Sequence, residues 1–173
     1  MCLLGDHAVG KTSLIKRYVQ DEFSDEYIST IGTKVTKKEI VLNFEEPQVQ
    51  VHLMFMIWDV VGQQEFRMFH KMYIRGVEGA LLVADMTRRQ TLDTVKKLDL
   101  MVKEQAGEVP TLILINKSDL VAQAQINPEE MKRMETYKKT PIVLTSAKSG
   151  NNVEYAFYTL GVMMAEKFLG TNI

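Results

Sequence analysis

"GDHAVGKT", residues 5–12, is the stretch on which the reading of the chain turns. It matches the pattern G-x-x-x-x-G-K-[ST] at Gly5, Gly10, Lys11 and Thr12. A short apolar piece, Cys2-Leu3-Leu4, precedes it, and a helix is predicted from about Lys11. A loop placed between a strand and a helix in this way turns successive backbone N–H groups inward and adds the positive end of the helix. It therefore holds a di- or triphosphate largely through the backbone. In that arrangement Lys11 reaches the β- and γ-phosphates, and the Thr12 hydroxyl ligates Mg²⁺. An ordinary glycine-rich turn is the alternative, and the complete pattern weighs against it.

Outward from this loop the chain alternates strands and helices. Val49, Val51, Leu53, Phe55 and Ile57 alternate with Gln50, His52, Met54, Met56 and Trp58, the two-residue period of a strand. The β-branched stretch "TKVTKKEIVLNF" before it ends at "EEPQ", so the two are predicted to pair as a hairpin. "GALLVADM", "PTLILIN" and "PIVLTSA" are short, almost wholly apolar runs, as expected of parallel strands buried on both faces. Between and after them, Leu92, Val95, Leu98 and Val102 mark one helix face, and Val153, Phe157, Leu160, Met164 and Phe168 mark another. Asn127, Pro128, Glu129 and Glu130 read as a capped helix start. Strand, loop and helix repeat, which implies an open, mostly parallel sheet wrapped by helices.

Composition narrows the class. The 173 residues are 46% hydrophobic and 25% charged with a formal net charge of -1. This suits one domain over 1–173 with a full core, and gives no whole-molecule attraction to nucleic acid or anionic membrane. The single cysteine, Cys2, leaves no internal disulfide and no zinc cluster, so a reducing, cytoplasmic setting is expected. No apolar run reaches the roughly 18 residues of a membrane span, and the N-terminus lacks signal-peptide character.

A second stretch speaks to the base. "NKSD", Asn116 to Asp119, follows the apolar run "TLILI" at the carboxyl edge of the sheet, where open sheets bind ligands. An aspartate there accepts hydrogen bonds from the N1–H and N2 amino donors of guanine, whereas adenine presents an acceptor at N1. A buried acceptor of this kind rejects a mismatched partner by about 10⁴–10⁵. Taken alone, the tetrapeptide also reads as a polar strand-to-helix loop.

Together "GDHAVGKT", "STIGT", "WDVVGQ", "NKSD" and "TSAK" resemble, in order and separation, the motifs of the small GTPases of the Ras superfamily, nearest the Ras and Rab branches. The resemblance runs from Gly5 to the last helix. "WDV" also has an Arf-like character, while "TSAKSGNNVEYAF" is closer to Ras or Rab. It implies an α/β fold of the P-loop NTPase kind, with about six strands, one of them antiparallel, and helices on both faces. It also implies GTP or GDP as ligand, Mg²⁺ as cofactor, and slow hydrolysis of GTP to GDP in a two-state molecular switch.

Residue by residue, the resemblance places Phe23 against the guanine edge and Tyr27 over the phosphates. Thr30 would ligate Mg²⁺ and touch the γ-phosphate, Asp59 would hold Mg²⁺ through water, and the Gly62 N–H would sense the γ-phosphate. Asn116, Lys117 and Asp119 form the base site with Ser146, Ala147 and Lys148, and His7, Ala8, Val9 and Ser13 join the phosphate loop. Gln63 would orient the attacking water, so Gln63, Lys11 and Thr30 form the catalytic set. An activating protein, an exchange factor and effectors would read residues 21–36 and 60–76. No arginine lies between Asp21 and Thr36, so hydrolysis unaided is expected to be slow, and an arginine from an activator contributes about 10³–10⁵ in rate.

Each of these residues also has a plainer reading. Phe23 suits a core aromatic, Tyr27 a surface residue, Thr30 and Asp59 a cap or turn, Lys148 a solvated charge, and most apolar residues of "EFRMFHKMYIRG" the core. Two departures stand out. His7 and Ala8 occupy positions where Ras has glycines, and Val61 is a bulky residue directly before Gly62. Both suit a rival function, a GTP/GDP-binding module with little hydrolysis; on the plainer reading His7 swings into solvent. An ATP-specific enzyme is disfavoured by "NKSD". The ending "FLGTNI" carries no prenylation motif, so peripheral membrane association would need another anchor.

Overall fold

The computed structural model describes residues 1–23, 34–45, 48–59, 74–138 and 140–170. In chain order the described elements are β1 Cys2–Gly5, α1 Lys11–Gln20, β2 Lys34–Phe44, β3 Val49–Asp59, β4 Ala80–Asp85, α2 Gln90–Ala106, β5 Thr111–Asn116, a 3₁₀ turn Ser118–Gln123, α3 Pro128–Lys138, β6 Ile142–Leu144 and α4 Val153–Leu169. The alternating stretch is β3. It pairs antiparallel with β2 along its whole length, from Lys34 opposite Asp59 to Phe44 opposite Val49. Phe55 and Ile57 are buried while His52, Met54 and Met56 are exposed, as the two-residue period requires.

The apolar runs become the centre of a six-stranded sheet of order β2-β3-β1-β4-β5-β6. All pairings except β2 with β3 are parallel. Every residue of β4 and β5 is buried, because both sheet faces are covered. On one face Leu3, Leu81, Val83, Leu112 and Leu114 meet Leu14 of α1 and Phe157 and Leu160 of α4. On the other Leu4, Leu82, Ala84, Ile113 and Ile115 meet Leu92, Val95 and Val102 of α2 and Met134 of α3. Tyr18 stacks on Phe157 with ring centroids 4.0 Å apart. Cys2 lies buried in β1, and burial pushes its thiol up to about 12.

Two expectations are corrected. β6 spans only Ile142–Leu144 and is partly exposed rather than buried on both faces, because it is the edge strand beyond β5. The α4 stripe holds for Val153, Phe157 and Leu160, but Phe168 is 85% exposed in the helix's last turn. The expected start of α3 is as read: Asn127 Oδ1 accepts the Glu130 N–H at 2.7 Å.

Parallel order places the loops that follow β1, β4, β5 and β6 on one edge. The chain leaves β1 towards β3 on one side and returns to β4 on the other, and this change of direction is where open α/β sheets bind ligands.

Candidate functional site

The phosphate loop is shaped by its carbonyl groups. Lys11 Nζ donates to Gly5 O and Asp6 O, each at 3.0 Å. Arg88 Nη2 donates to His7 O at 2.7 Å, and Asn116 Nδ2 donates to Val9 O at 2.8 Å. Gly10 O accepts the Leu14 N–H of α1. These contacts hold the loop's carbonyls, and the His7 N–H donates to Asp6 Oδ1 at 3.3 Å. Ala8 and Gly10 take left-handed conformations, φ 57° and 97°, the alternation that builds anion-binding concavities. Glycine is required at Gly10: a Cβ there would lie 2.3 Å from Asn116 Nδ2. A Cβ on Gly5 would lie 2.3 Å from the Val83 carbonyl of the adjacent strand.

Lys11 is buried at the first position of α1. Burial pushes its ammonium down to about 8, with Arg88 adding to the effect while Asp59 and Asp6 oppose it. A buried ammonium in this position gains from an anion placed beside it. Val9 is buried, Ser13 half-buried, and His7 and Ala8 exposed.

Across the sheet, Thr12 Oγ1 donates to Asp59 Oδ2 at 2.5 Å. Asp59 ends β3 beside Leu3 of β1, and burial raises its carboxyl above the usual range despite the opposing Thr12 hydrogen bond and Lys11 charge. Among the described residues its Oδ1 is buried without a hydrogen-bond partner. A buried carboxylate oxygen left over next to a threonine hydroxyl is a donor set that fits Mg²⁺, a hard cation taking oxygen ligands.

The base loops form the other end. Asn116 closes β5, and its Oδ1 accepts the Ala147 N–H at 3.2 Å and Thr145 Oγ1 at 3.4 Å. It therefore ties the phosphate loop to residues 145–147. Ser146 Oγ donates to Asp119 Oδ1 at 2.6 Å, which orients the carboxylate; the sequence suggested a buried acceptor, but Asp119 is exposed. Lys117, left-handed with φ 65°, sends its ammonium to Asp85 Oδ2 at 2.6 Å. Ala147 is buried and Lys148 exposed. Phe23 is half-buried and packs against the β1–α1–α4 core cluster.

Three residues that the sequence did not single out complete the frame. Asp85, fully buried at the end of β4, accepts Thr87 N and Oγ1 on Oδ1 and pairs with Arg88 and Lys117 through Oδ2. Burial alone would raise its carboxyl, but the Lys117 and Thr87 hydrogen bonds hold it below the usual range. Arg17 of α1 donates to the carbonyls of Ala147 and Lys148, each at 3.0 Å. The signal for Asp85 was present, a carboxylate closing an apolar strand at the ligand edge; Arg17 and Arg88 carry none. Tyr27, Thr30, Gly62 and Gln63, with Val61 and most of 21–36 and 60–76, lie outside the described residues.

Comparison with known proteins places the chain in a family. A sequence model of the Ras family matches residues 1–166. The chain is 38% identical over 159 residues to Ras-related protein RABA4a of Arabidopsis thaliana, covering 91% of this chain and 68% of that protein. It is 36% identical over 161 residues to human Ras-related protein Rab-8B, covering 92% and 75%. It is 32% identical over 166 residues to Ras-related protein SEC4 of Saccharomyces cerevisiae, covering 95% and 74%. Among the described residues no helix is long and apolar enough to cross a membrane. The family model over residues 1–166 and the similarity along most of the chain lead to one assignment: this protein belongs to the Ras family of small GTPases and is Rab-like.

Proposed function

We propose that the protein is a guanine-nucleotide switch that binds GTP and GDP with Mg²⁺, hydrolyses GTP slowly, and signals through residues 21–36 and 60–76. The observation that carries the reading is the tie made by Asn116, which holds the phosphate loop at Val9 and the base loop at Ala147 with one side chain. Lys11 supplies charge to the β- and γ-phosphates, and the phosphate loop supplies N–H groups. Asp119, held by Ser146, accepts the two guanine donors, while Lys117 packs beside the base from its Asp85 anchor. Thr12 and Asp59 are the described candidates for holding Mg²⁺, with Thr30 beyond them in sequence. Bound there, the cation would neutralise charge on the phosphate oxygens. Gln63 is assigned to orient the attacking water.

The two states follow from the γ-phosphate, since Thr30 and Gly62 would hold their segments only while it is present. The aromatic and methionine residues in the sequence of 60–76 suit adaptable protein partners, among them an activator, an exchange factor and effectors.

Single-turnover hydrolysis of bound GTP with Mg²⁺ at neutral pH tests the proposal. Slow turnover that Gln63→Leu abolishes is the expected result. Tight GTP binding with no turnover, even with candidate activators present, would instead establish a binding module. Displacement of GDP by ATP at equal concentration would overturn the guanine assignment.

A further inference from the structure

Of the loop carbonyls held by side chains, those of Gly5, Asp6 and Val9 are held from inside the motifs, by Lys11 and Asn116. The carbonyl of His7 is held from outside them, by Arg88 in the loop between β4 and α2. In a trans peptide the carbonyl and the following N–H point in opposite directions. A donor that fixes the His7 carbonyl away from the cradle therefore fixes the Ala8 N–H towards it. Ala8 needs such a restraint, because it sits at φ 57°, a left-handed conformation that is unfavourable for a residue with a Cβ.

Arg88 is itself anchored. Its Nε pairs with Asp85 Oδ2 at 2.9 Å, the oxygen that also takes Lys117 Nζ at 2.6 Å. Thr87 occupies the other oxygen through its N–H and hydroxyl. The planar guanidinium thus bridges a buried carboxylate and a backbone carbonyl at once, a geometry that a lysine ammonium with one nitrogen does not reproduce.

We propose that Arg88 is a positioning residue for the diphosphate. By fixing the His7 carbonyl it aims the Ala8 N–H at the phosphates, and through Asp85 it couples that peptide to Lys117 of the base loop. This rests on the guanine-nucleotide reading above and names a residue that sets how long the nucleotide is retained. Loss of the bridge frees the peptide to rotate and removes one donor from the cradle.

The test uses the Mg²⁺–GDP-loaded protein, with release of a fluorescent GDP followed by stopped flow and the bound GDP followed by phosphorus NMR. Arg88→Ala is expected to release GDP about tenfold faster, equivalent to about 1.4 kcal/mol, and to move the β-phosphate resonance. Arg88→Lys is expected to retain the Asp85 pairing and a native melting temperature yet to resemble Arg88→Ala in both readouts. It carries the test alone should Arg88→Ala fail to fold. Release within twofold of native overturns the proposal. So does faster release with an unmoved resonance, which marks a merely structural residue, and so does full rescue by lysine, which marks simple charge. A native chain that binds no GDP defeats the underlying reading before any variant is made; a native chain that binds GDP while both variants behave normally defeats this inference alone.

Discussion

The two ends of the proposed nucleotide site would recognise their ligand in different ways. At the proposed phosphate end the contacts would be backbone N–H groups, and Lys11, Arg88 and Asn116 hold loop carbonyls. At the proposed base end the recognising group would be a side chain, Asp119, whose Oδ1 accepts the Ser146 hydroxyl. A site made of backbone would tolerate changes of side chain provided the loop keeps its conformation, which suits the side chains of His7 and Ala8 in this loop. A site made of a carboxylate has no such freedom.

Substitutions at the two ends therefore differ in size. Asp119→Asn replaces an acceptor with a donor facing guanine and is expected to weaken GDP binding by about 10⁴, with xanthosine diphosphate, whose base offers an acceptor there, bound better; competition titration reads both. A loss of only a few-fold would place base recognition elsewhere. Asp85→Asn removes the charge shared by Lys117 and Arg88 and is expected to cost about 3 kcal/mol at neutral pH, measured by urea unfolding.

The sign of its pH dependence follows from the lowered carboxyl of Asp85. Its contribution is complete above the ordinary carboxylate value of about 3.9 and is lost as pH falls through the lower folded value. The native–variant gap should thus stay constant from neutral pH down to about pH 4 and close only below it.

Gly10→Ala probes the backbone end. A Cβ 2.3 Å from Asn116 Nδ2, at φ 97°, is expected to cost about 2 kcal/mol and to loosen both loops, since Asn116 serves both. A selective loss of phosphate affinity with base affinity intact, read with GDP against guanosine, would show that the two ends are less coupled than this tie implies. Ser146→Ala, the mildest change, leaves the Asp119 charge in place but removes its orienting hydroxyl. It should speed GDP release by roughly tenfold, the value of one hydrogen bond to a charged group.

The sequence announced what is local. Strict alternation marked β3, unbroken apolar runs marked β4 and β5, and glycine spacing marked the phosphate loop, because each follows from a period or a single backbone requirement. Two misreadings share a cause: apolar composition does not reveal where an element ends relative to its neighbours. β6 looked like β5 in composition but lies at the sheet edge, and Phe168 continued a helical stripe into a turn where it is exposed. Arg17 and Arg88 were illegible for another reason. Each reaches a carbonyl far away in sequence, Arg17 to Ala147 and Arg88 to His7, and a surface arginine looks the same in sequence whether it clamps a distant loop or faces water.

The single cysteine has a practical consequence. Cys2 is fully buried with its thiol pushed up to about 12, so at neutral pH it presents almost no thiolate to an alkylating reagent. The unaltered chain is in effect a blank for maleimide dyes. A cysteine introduced at exposed Tyr158 would be the single site to react, and one fluorophore at a known place becomes available without first removing a native thiol.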